Sequence, residues 1–444
     1  MLSIFRAQGP FAHRNVRLFA FFTVLYNARA YYPIFTILLL DLGLSREAFL
    51  TLNAVWAATI LLLEVPSGAL ADLIGRRRLL IASAIMMVLE MALLLLAPQN
   101  GGALLIVMVL ANRLLSGASE AAASGADQAI AYDTLKKENQ SSLWDETLAA
   151  VMSLRSLCFF VAMILGALLY DPSLFSTLFP SLASVESSFT LRLPLALVFL
   201  QGLVCLSLAL RMKDPELSIA TSERERLTTK QAFRQTFTAT RWLIVTPAAI
   251  LVIVGGMLAD SFARTFATLA SDYYRILSLP EWSFGFIGAL IGVIGIFVPK
   301  FAAKLNKKFS PRTHLLIIIS WAFLALAVLG QCWPYYGIIP AILTVSVLSW
   351  TNFLVSTELN RLASSEHRAT ILSVKGLAFN LSYGTVSLSF AGAIALAEGK
   401  WFGEEQAFQA VLRWQPLALL LGLAGFFFFS KKLVDHSPHE EEQT

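Results

Sequence analysis

The sequence predicts an all-α membrane protein of 12 transmembrane helices arranged as two six-helix bundles. Of the 444 residues, 57 % are hydrophobic and only 14 % are charged, which is more apolar surface than a soluble domain can bury. The apolar residues gather into runs close to the roughly 20 residues that cross a bilayer. In addition, the two halves of the chain match each other at equivalent positions.

The apolar runs form two groups of six on either side of the longest polar segment. The first group lies near residues 16–40, 48–69, 79–97, 103–131, 148–170 and 191–211, and the second near 244–272, 282–304, 313–331, 336–360, 370–397 and 408–430. We therefore predict an N-terminal bundle over 1–211, a cytoplasmic linker over 212–241, a C-terminal bundle over 242–432 and a disordered tail over 433–444.

Basic residues set the predicted orientation. If the amino terminus is cytoplasmic, most of the 34 lysines and arginines fall in tails and loops on the cytoplasmic side, Lys375 among them. The loops on the opposite side then hold only Arg46, Arg192, Arg275 and Lys400. Because positive charge concentrates on the cytoplasmic side of membrane proteins, both termini are predicted to be cytoplasmic. The net charge of +5 thus belongs to membrane flanks, and we expect no nucleic-acid partner.

A short basic turn separates the second and third apolar runs. It has the spacing Gly68-x-x-x-Asp72-x-x-Gly75-Arg76-Arg77. Gly68 permits close helix approach, Asp72 can cap or pair at a helix end, and Gly75 permits the turn. A simple positive stop after a membrane helix would explain the arginines but not the two glycines and the aspartate.

This spacing resembles the signature loop of major facilitator superfamily transporters, although Leu73 replaces a residue that is more often basic there. Arg113-Leu-Leu-Ser116-Gly resembles the family's fourth-helix motif R-x-x-Q-G, with serine in place of glutamine. The resemblance implies two bundles that rock around a central site. The chain as a whole is similar to the drug/proton antiporter branch, but the fifth helix lacks that branch's Gly-Pro pair, which leaves the direction of transport open.

Candidate proton-coupling residues lie on the fourth apolar run. Arg113, Glu120 and Asp127 recur every seven residues, close to two helical turns, and so share one stripe. The family resemblance implies that Arg113 takes part in proton coupling and holds a carboxylate, here assigned to Glu120, ionised until a proton or substrate competes. A salt bridge that only positions the helices is the alternative. Asp260 is a further coupling candidate.

The same resemblance implies a conformational latch at the cytoplasmic side. Asp127 lies deep enough toward that side to pair with Arg76 or Arg77, and such a pairing holds related transporters in the outward-open state. The predicted latch residues are Gly68, Asp72, Gly75, Arg76, Arg77 and Asp127.

A pair of arginines gives the most specific substrate hypothesis. Arg29 and Arg264 occupy equivalent positions in the two halves, and two arginines that face one cavity bind carboxylate or phosphate well. Alternatively, Arg264 pairs with Asp260 one turn away, or either arginine contacts carbonyl groups. The other predicted substrate-binding residues are Tyr26, Asn27, Tyr31, Arg155 and Phe262.

These observations predict a proton-linked secondary transporter of small organic solutes, most simply one that exports drug-like or amphipathic compounds. The alternative is an organic-anion transporter that uses Arg29 and Arg264, and a remote one is an uncoupled lipid scramblase or a transporter-like sensor. The histidines lie in flanks or in the tail, and no phosphate-binding loop occurs, so we expect no enzyme, no cofactor and no metal. The expected partners are a small molecule, protons and lipid, for a monomer in a bacterial inner membrane.

Overall fold

The computed structural model describes residues 4, 9–178, 187–214, 237–238, 240–363 and 368–435. Within these ranges the regular structure is helical, and 11 helices are long and apolar enough to cross a membrane. The prediction of an all-α membrane fold is confirmed. The predicted first span is broken into two shorter helices, so the 11 long helices and this broken span fit the predicted total of 12.

Nine helices form the first half of the described chain. They are α1 Arg14–Asn27, α2 Phe35–Asp41, α3 Arg46–Ile74, α4 Arg76–Leu95, α5 Gly102–Ala123, α6 Ala126–Lys137, α7 Trp144–Tyr170, α8 Pro172–Leu178 and α9 Ser187–Arg211. Short 3-10 turns lie at Gly9–Ala12, Tyr32–Ile34 and Ser141–Leu143.

Six longer helices form the second half within the described residues. They are α10 Pro247–Ile276, α11 Ser283–Asn306, α12 Pro311–Leu329, α13 Ile338–Leu362, α14 Arg368–Lys400 and α15 Glu404–Asp435. Helix α15 ends at Asp435, so its last three residues belong to the segment predicted to be a disordered tail. Residues 215–236 of the predicted linker and 436–444 of the predicted tail lie outside the described residues, so both segments stay predictions.

The break between α1 and α2 is stabilised by other helices of the first bundle. Pro33 supplies no N–H and disfavours helix in the residue before it. The freed carbonyl of Ala28 accepts a hydrogen bond from Gln201 Nε2 of α9 at 3.1 Å. Gly166 of α7 packs against the break so closely that a Cβ there would overlap the carbonyl oxygen of Ala30. These contacts matter because an unsatisfied backbone group in hydrocarbon costs several kcal/mol.

A buried ion pair also holds the break in place. Arg29 Nη1 lies 2.6 Å from Glu90 Oε1 of α4, and the same nitrogen donates to the Tyr31 hydroxyl at 3.1 Å. Arg29 is 4 % exposed and Glu90 is fully buried. Arg29 therefore lies in the interior of the first bundle. This position differs from the expectation that Arg29 faces a cavity between the two bundles.

Salt bridges join the two bundles at one end of the molecule. Arg46 of α3 binds Asp272 of α10 at 2.5 Å and Glu404 of α15 at 2.8 Å. Arg275 of α10 binds Asp41 of α2 at 2.7 Å. Among the described residues, the salt bridges that cross between the bundles all lie at this end, which we call the closed end. In the predicted orientation it is the non-cytoplasmic end.

Arg275 at the closed end is shared between two carboxylates. It also contacts Glu281 Oε1 at 2.5 Å. Burial raises the pKa of Glu281, Arg275 opposes that shift, and Asp41 adds to it. Burial alone would lower the pKa of Arg275, but its hydrogen bonds and charge contacts with Asp41 and Glu281 raise it overall. The guanidinium therefore stays charged and holds one carboxylate from each bundle.

We expect Asp272→Asn to shift the population toward a state that is open at the closed end. The substitution leaves the buried Arg46 without its nearest carboxylate, and breaking a buried pair typically costs about 3–5 kcal/mol. Spin labels at Asn100→Cys and Gln331→Cys, both exposed at this end, should move apart when measured by double electron–electron resonance. As a control, Glu358→Gln breaks the Arg361 pair within the second bundle and should leave the distance unchanged. An unchanged distance in Asp272→Asn would contradict a closing role for the pair.

Glu90→Gln should destabilise the protein by about 3–5 kcal/mol, because it leaves a buried arginine without its counter-ion. The double variant Arg29→Leu/Glu90→Leu removes both charges and should recover most of the loss. Melting temperatures of the purified variants measure both effects. If the single and double variants melt alike, the pair is not a structural element of the first bundle.

Candidate functional site

A cavity of about 480 Å³ lies between the two bundles, and we call it the central chamber. Helices α3 and α5 form one wall, and α10, α13 and α14 form the other. Its charged residues are Glu64 and Glu120 on the first wall and Asp260, Arg264 and Lys375 on the second. Charges at membrane depth are tolerated when they face such a polar cavity, which makes the chamber the candidate site.

Glu120 is an unpaired carboxylate on the first wall. It lies in the last turn of α5, is exposed in the chamber, and makes no hydrogen bond or salt bridge with the described residues. Glu64, within α3, is half-buried and its carboxylate likewise lacks a partner among these residues. Both groups are therefore available to a proton or a cationic ligand. Glu120 is the carboxylate that the sequence pattern predicts, whereas Glu64 is identified only from the structure.

On the second wall, Arg264 is already paired. Its Nη2 lies 2.7 Å from Asp260 Oδ2 one turn earlier in α10, and its Nη1 donates to Asn380 Oδ1 at 3.2 Å. This is the local pairing that the sequence analysis weighed against an anion site, and it follows from the i,i+4 spacing. The pair leaves little net charge on this part of the wall.

Lys375 is a chamber residue that the sequence analysis did not select. The charge pattern predicts a cytoplasmic flank at this position, but Lys375 lies within α14 and lines the chamber wall. Its Nζ donates to Asn352 Oδ1 at 2.5 Å and to Ser356 Oγ at 2.8 Å. Both partners are neutral, so the ammonium charge is solvated by the wall but not neutralised.

Arg113 does not reach Glu120. It is buried, donates from Nε to Asn112 Oδ1 at 2.8 Å, and stacks over the Phe35 ring at 4.7 Å. Seven helical residues keep the two side chains on one stripe but separate their positions by about 10.5 Å along the axis. The structure thus places the predicted coupling pair on the same helix face without bringing it into contact.

The two symmetry-related arginines do not share a cavity in this structure. Arg264 lines the central chamber, whereas Arg29 is enclosed in the first bundle by Glu90. Glu90 interrupts the apolar run 79–97, and this acidic residue within a predicted span was the available signal for the pairing.

The predicted aromatic substrate residues are also enclosed. The Tyr26 hydroxyl lies 2.6 Å from Ser119 Oγ inside the first bundle, Tyr31 is 2 % exposed, and Phe262 is 7 % exposed in the core. None of these three aromatic side chains lines the central chamber.

Asn27 and Arg155 lie at a second cavity of about 760 Å³. We call it the lateral cleft. It is lined by Asn27 and Tyr32, by residues of α7 between Met152 and Phe160, and by residues of α11 between Ala289 and Ile296.

The predicted latch lies partly within the described residues. The surroundings of Gly68 and the side chain of Asp72 lie outside the described part of the structure. Gly75 ends α3 with a φ of 94°, a conformation that suits glycine.

The arginines that follow this turn have partners within the first bundle. Arg76 forms a salt bridge with Asp133 of α6, and Arg77 Nη2 donates to the Leu210 carbonyl at 2.9 Å. Asp127 instead accepts a hydrogen bond from Thr23 Oγ1 at 2.7 Å. The expected Asp127 pairing is absent from this structure and stays a prediction for a state closed at the cytoplasmic side.

Three solved transporter structures have a similar architecture. A nucleoside transporter, NupG, aligns with a TM-score of 0.69 and 11 % identity over 94 % of this chain and 98 % of its own. A D-xylose–proton symporter aligns with a TM-score of 0.61 and 15 % identity over 92 % and 96 %. A bacterial homologue of the human lysosomal transporter Spinster, in an inward-facing and occupied conformation, aligns with a TM-score of 0.62 and 16 % identity over 96 % and 97 %.

At these identities the structural matches establish the fold alone. No functionally curated relative matches the chain in sequence. A profile of the Major Facilitator Superfamily matches residues 17–387, most of the chain. The drug/proton antiporter branch stays a prediction. The protein is therefore an integral membrane protein with a transporter fold, and it belongs to the Major Facilitator Superfamily.

Proposed function

We propose that this protein is a proton-linked secondary transporter that moves small organic solutes through the central chamber by alternating access. The observation that carries the proposal is the unpaired carboxylate of Glu120, which faces a chamber between two bundles at membrane depth. An ionised carboxylate disfavours closure of the chamber around it, because closure would remove the water that solvates the charge. A bound proton or a cationic solute relieves that penalty.

The closed end supplies the opposing element of the cycle. Arg46 with Asp272, and Arg275 with Asp41, hold this end shut in the present state. A ligand or proton can move the equilibrium only as far as its affinities for the two states differ. We propose that occupancy of the chamber offsets the loss of these pairs, and that the bundles then rock to open the closed end.

The charges of the chamber support amphipathic, positively charged compounds over the organic-anion alternative as substrates. The anion hypothesis needs both arginines in one cavity, but Arg29 is held by Glu90 and Arg264 is paired with Asp260. In contrast, Glu64 and Glu120 offer unpaired negative charge. Trp56 and Phe379 add aromatic surface to the same chamber. This combination suits an amphipathic solute that carries a positive charge.

Glu120→Gln should remove the response of transport to an imposed pH gradient. The amide keeps the shape of the side chain but cannot exchange a proton, so gradient-driven accumulation of a cationic dye in proteoliposomes should fall to the level of empty vesicles. Exchange of dye without a gradient should persist. Glu146→Gln, at an exposed position in the first turn of α7, is the matched control and should accumulate dye like the wild type.

A gradient response of normal size in Glu120→Gln would rule out Glu120 as the coupling group. If the wild-type protein equilibrates solutes but never accumulates them, the uncoupled scramblase or sensor alternative replaces the proposal.

Gly376→Leu should block passage of the same dye without unfolding the protein. Gly376 lines the central chamber, and a Cβ built there meets no atom within 4 Å, so the new side chain projects into open space. Gly392→Leu, at a position of α14 that is equally open but outside the chamber, is the control. We expect dye transport to fall by about tenfold or more in the first variant only, measured at equal reconstituted protein. Normal transport in Gly376→Leu would place the solute path elsewhere.

A further inference from the structure

The lateral cleft lies between α7 and α11, beside the point where the two helices make close backbone contact. At one end of this helix pair, Gly285 packs directly on the backbone of α7, where a Cβ would meet the Met163 carbonyl oxygen and the Ala167 side chain. From there toward Met152 and Ile296, the cleft lies between the two helices. The contact at one end and the cavity along the rest give the cleft a side entrance between the bundles.

The walls of this entrance suit a hydrocarbon chain. Met152, Leu157 and Phe160 are 50 %, 49 % and 38 % exposed, and all three belong to a candidate membrane span. Exposed apolar side chains within a membrane span are suited to contact with lipid tails, which favours a cleft that opens toward the bilayer. Val293 and Ile296 of α11 are also exposed and face the same cleft from the other side.

Arg155 brings an uncompensated cation into this apolar setting. It is half-buried in the span Ser141–Tyr170 and makes no hydrogen bond or salt bridge with the described residues. Asp127 is within electrostatic range but forms no ion pair with it, since its carboxylate accepts from Thr23 and from its own helix turn. A guanidinium at hydrocarbon depth without a counter-ion is costly, and an anion at this position would remove that cost.

We propose that the lateral cleft binds an amphipathic anion, a single-chain lipid with a carboxylate or phosphate head that enters from the bilayer between α7 and α11. The head group binds Arg155, which can form paired hydrogen bonds to either anion. The chain lies along Phe159, Phe160 and Val293 toward the membrane. The volume of about 760 Å³ lies within the range of roughly 300–1,000 Å³ for ligand sites.

This site is separate from the chamber used in the proposed function. The two cavities share no lining residue. They also differ in charge, because, among the described residues, Arg155 is the one charged residue that lines the lateral cleft, whereas three carboxylates and two cations line the chamber. The proposed lipid site therefore does not depend on whether Glu120 couples transport to protons.

Photolabelling of the purified full-length protein tests the site. A diazirine-bearing fatty acid should label peptides of α7 and α11, and oleate should compete with it. Oleyl alcohol and oleylamine, which have the same chain without the negative charge, should compete at least tenfold less well. Arg155→Gln should weaken competition by oleate by about tenfold or more, and Arg155→Lys should restore part of it.

A second variant fills the cleft without touching the charge. Gly292 lines the lateral cleft and a Cβ there meets no atom within 4 Å, so Gly292→Leu should block labelling of α7 and α11. Gly376→Leu, which fills the central chamber, is the matched control and should label normally. Melting temperatures identify any variant that fails to fold, and Gly292→Leu keeps the test valid if Arg155→Gln is that variant.

Three results would overturn the proposal. The first is equal competition by oleate, oleyl alcohol and oleylamine. The second is label on α7 and α11 that persists unchanged in Gly292→Leu. The third is competition by phosphatidylglycerol as effective as that by oleate, which would assign the cleft to a two-chain bilayer lipid.

Discussion

A charge in hydrocarbon is costly unless an opposite charge, polar or aromatic groups or water stabilise it, and this constraint organises the molecule. Arg29 meets Glu90 inside one bundle, where the pair supports a broken helix. Arg46 meets Asp272 across the two bundles, where the pair closes one end. Glu120 meets no partner and faces a cavity. The position of the counter-charge therefore decides the role of each charged residue. A partner in the same bundle stabilises the fold, a partner in the other bundle closes one end, and a carboxylate without a partner can bind a proton or a solute.

This distribution makes the two ends of the molecule unequal. The salt bridges between bundles that the described residues form are concentrated at the closed end, whereas the central chamber holds carboxylates on one wall and an ammonium on the other without a bond between them. Movement of the bundles about the chamber would break the first set of contacts and bring the walls closer together. The energy difference between the two arrangements is then sensitive to a proton or solute of suitable charge in the chamber.

The fold followed from the sequence because the length of an apolar run is set by the thickness of the bilayer, independently of its neighbours. The internal repeat also aligned Arg29 with Arg264 in sequence, although Arg29 lies in the break after α1 and Arg264 lies within the continuous helix α10. It did not fix where their side chains point, because that depends on partners from other helices. Glu90 is 61 residues from Arg29 in sequence, and only packing of α4 beside the break shows that the two meet. Lys375 was missed for a related reason, because the depth of a helix end is decided by tertiary packing.

The interrupted first span also affects how the protein is made. Its Ala28 carbonyl and its arginine are satisfied by Gln201 and Glu90, which the ribosome adds only later. Until then, the nascent segment between α1 and α2 carries polar groups that lipid cannot satisfy. We therefore expect the first span, α1 and α2, to insert stably into the membrane only after the ribosome has synthesised α9. The last helix of the first bundle would then complete the folding of that bundle.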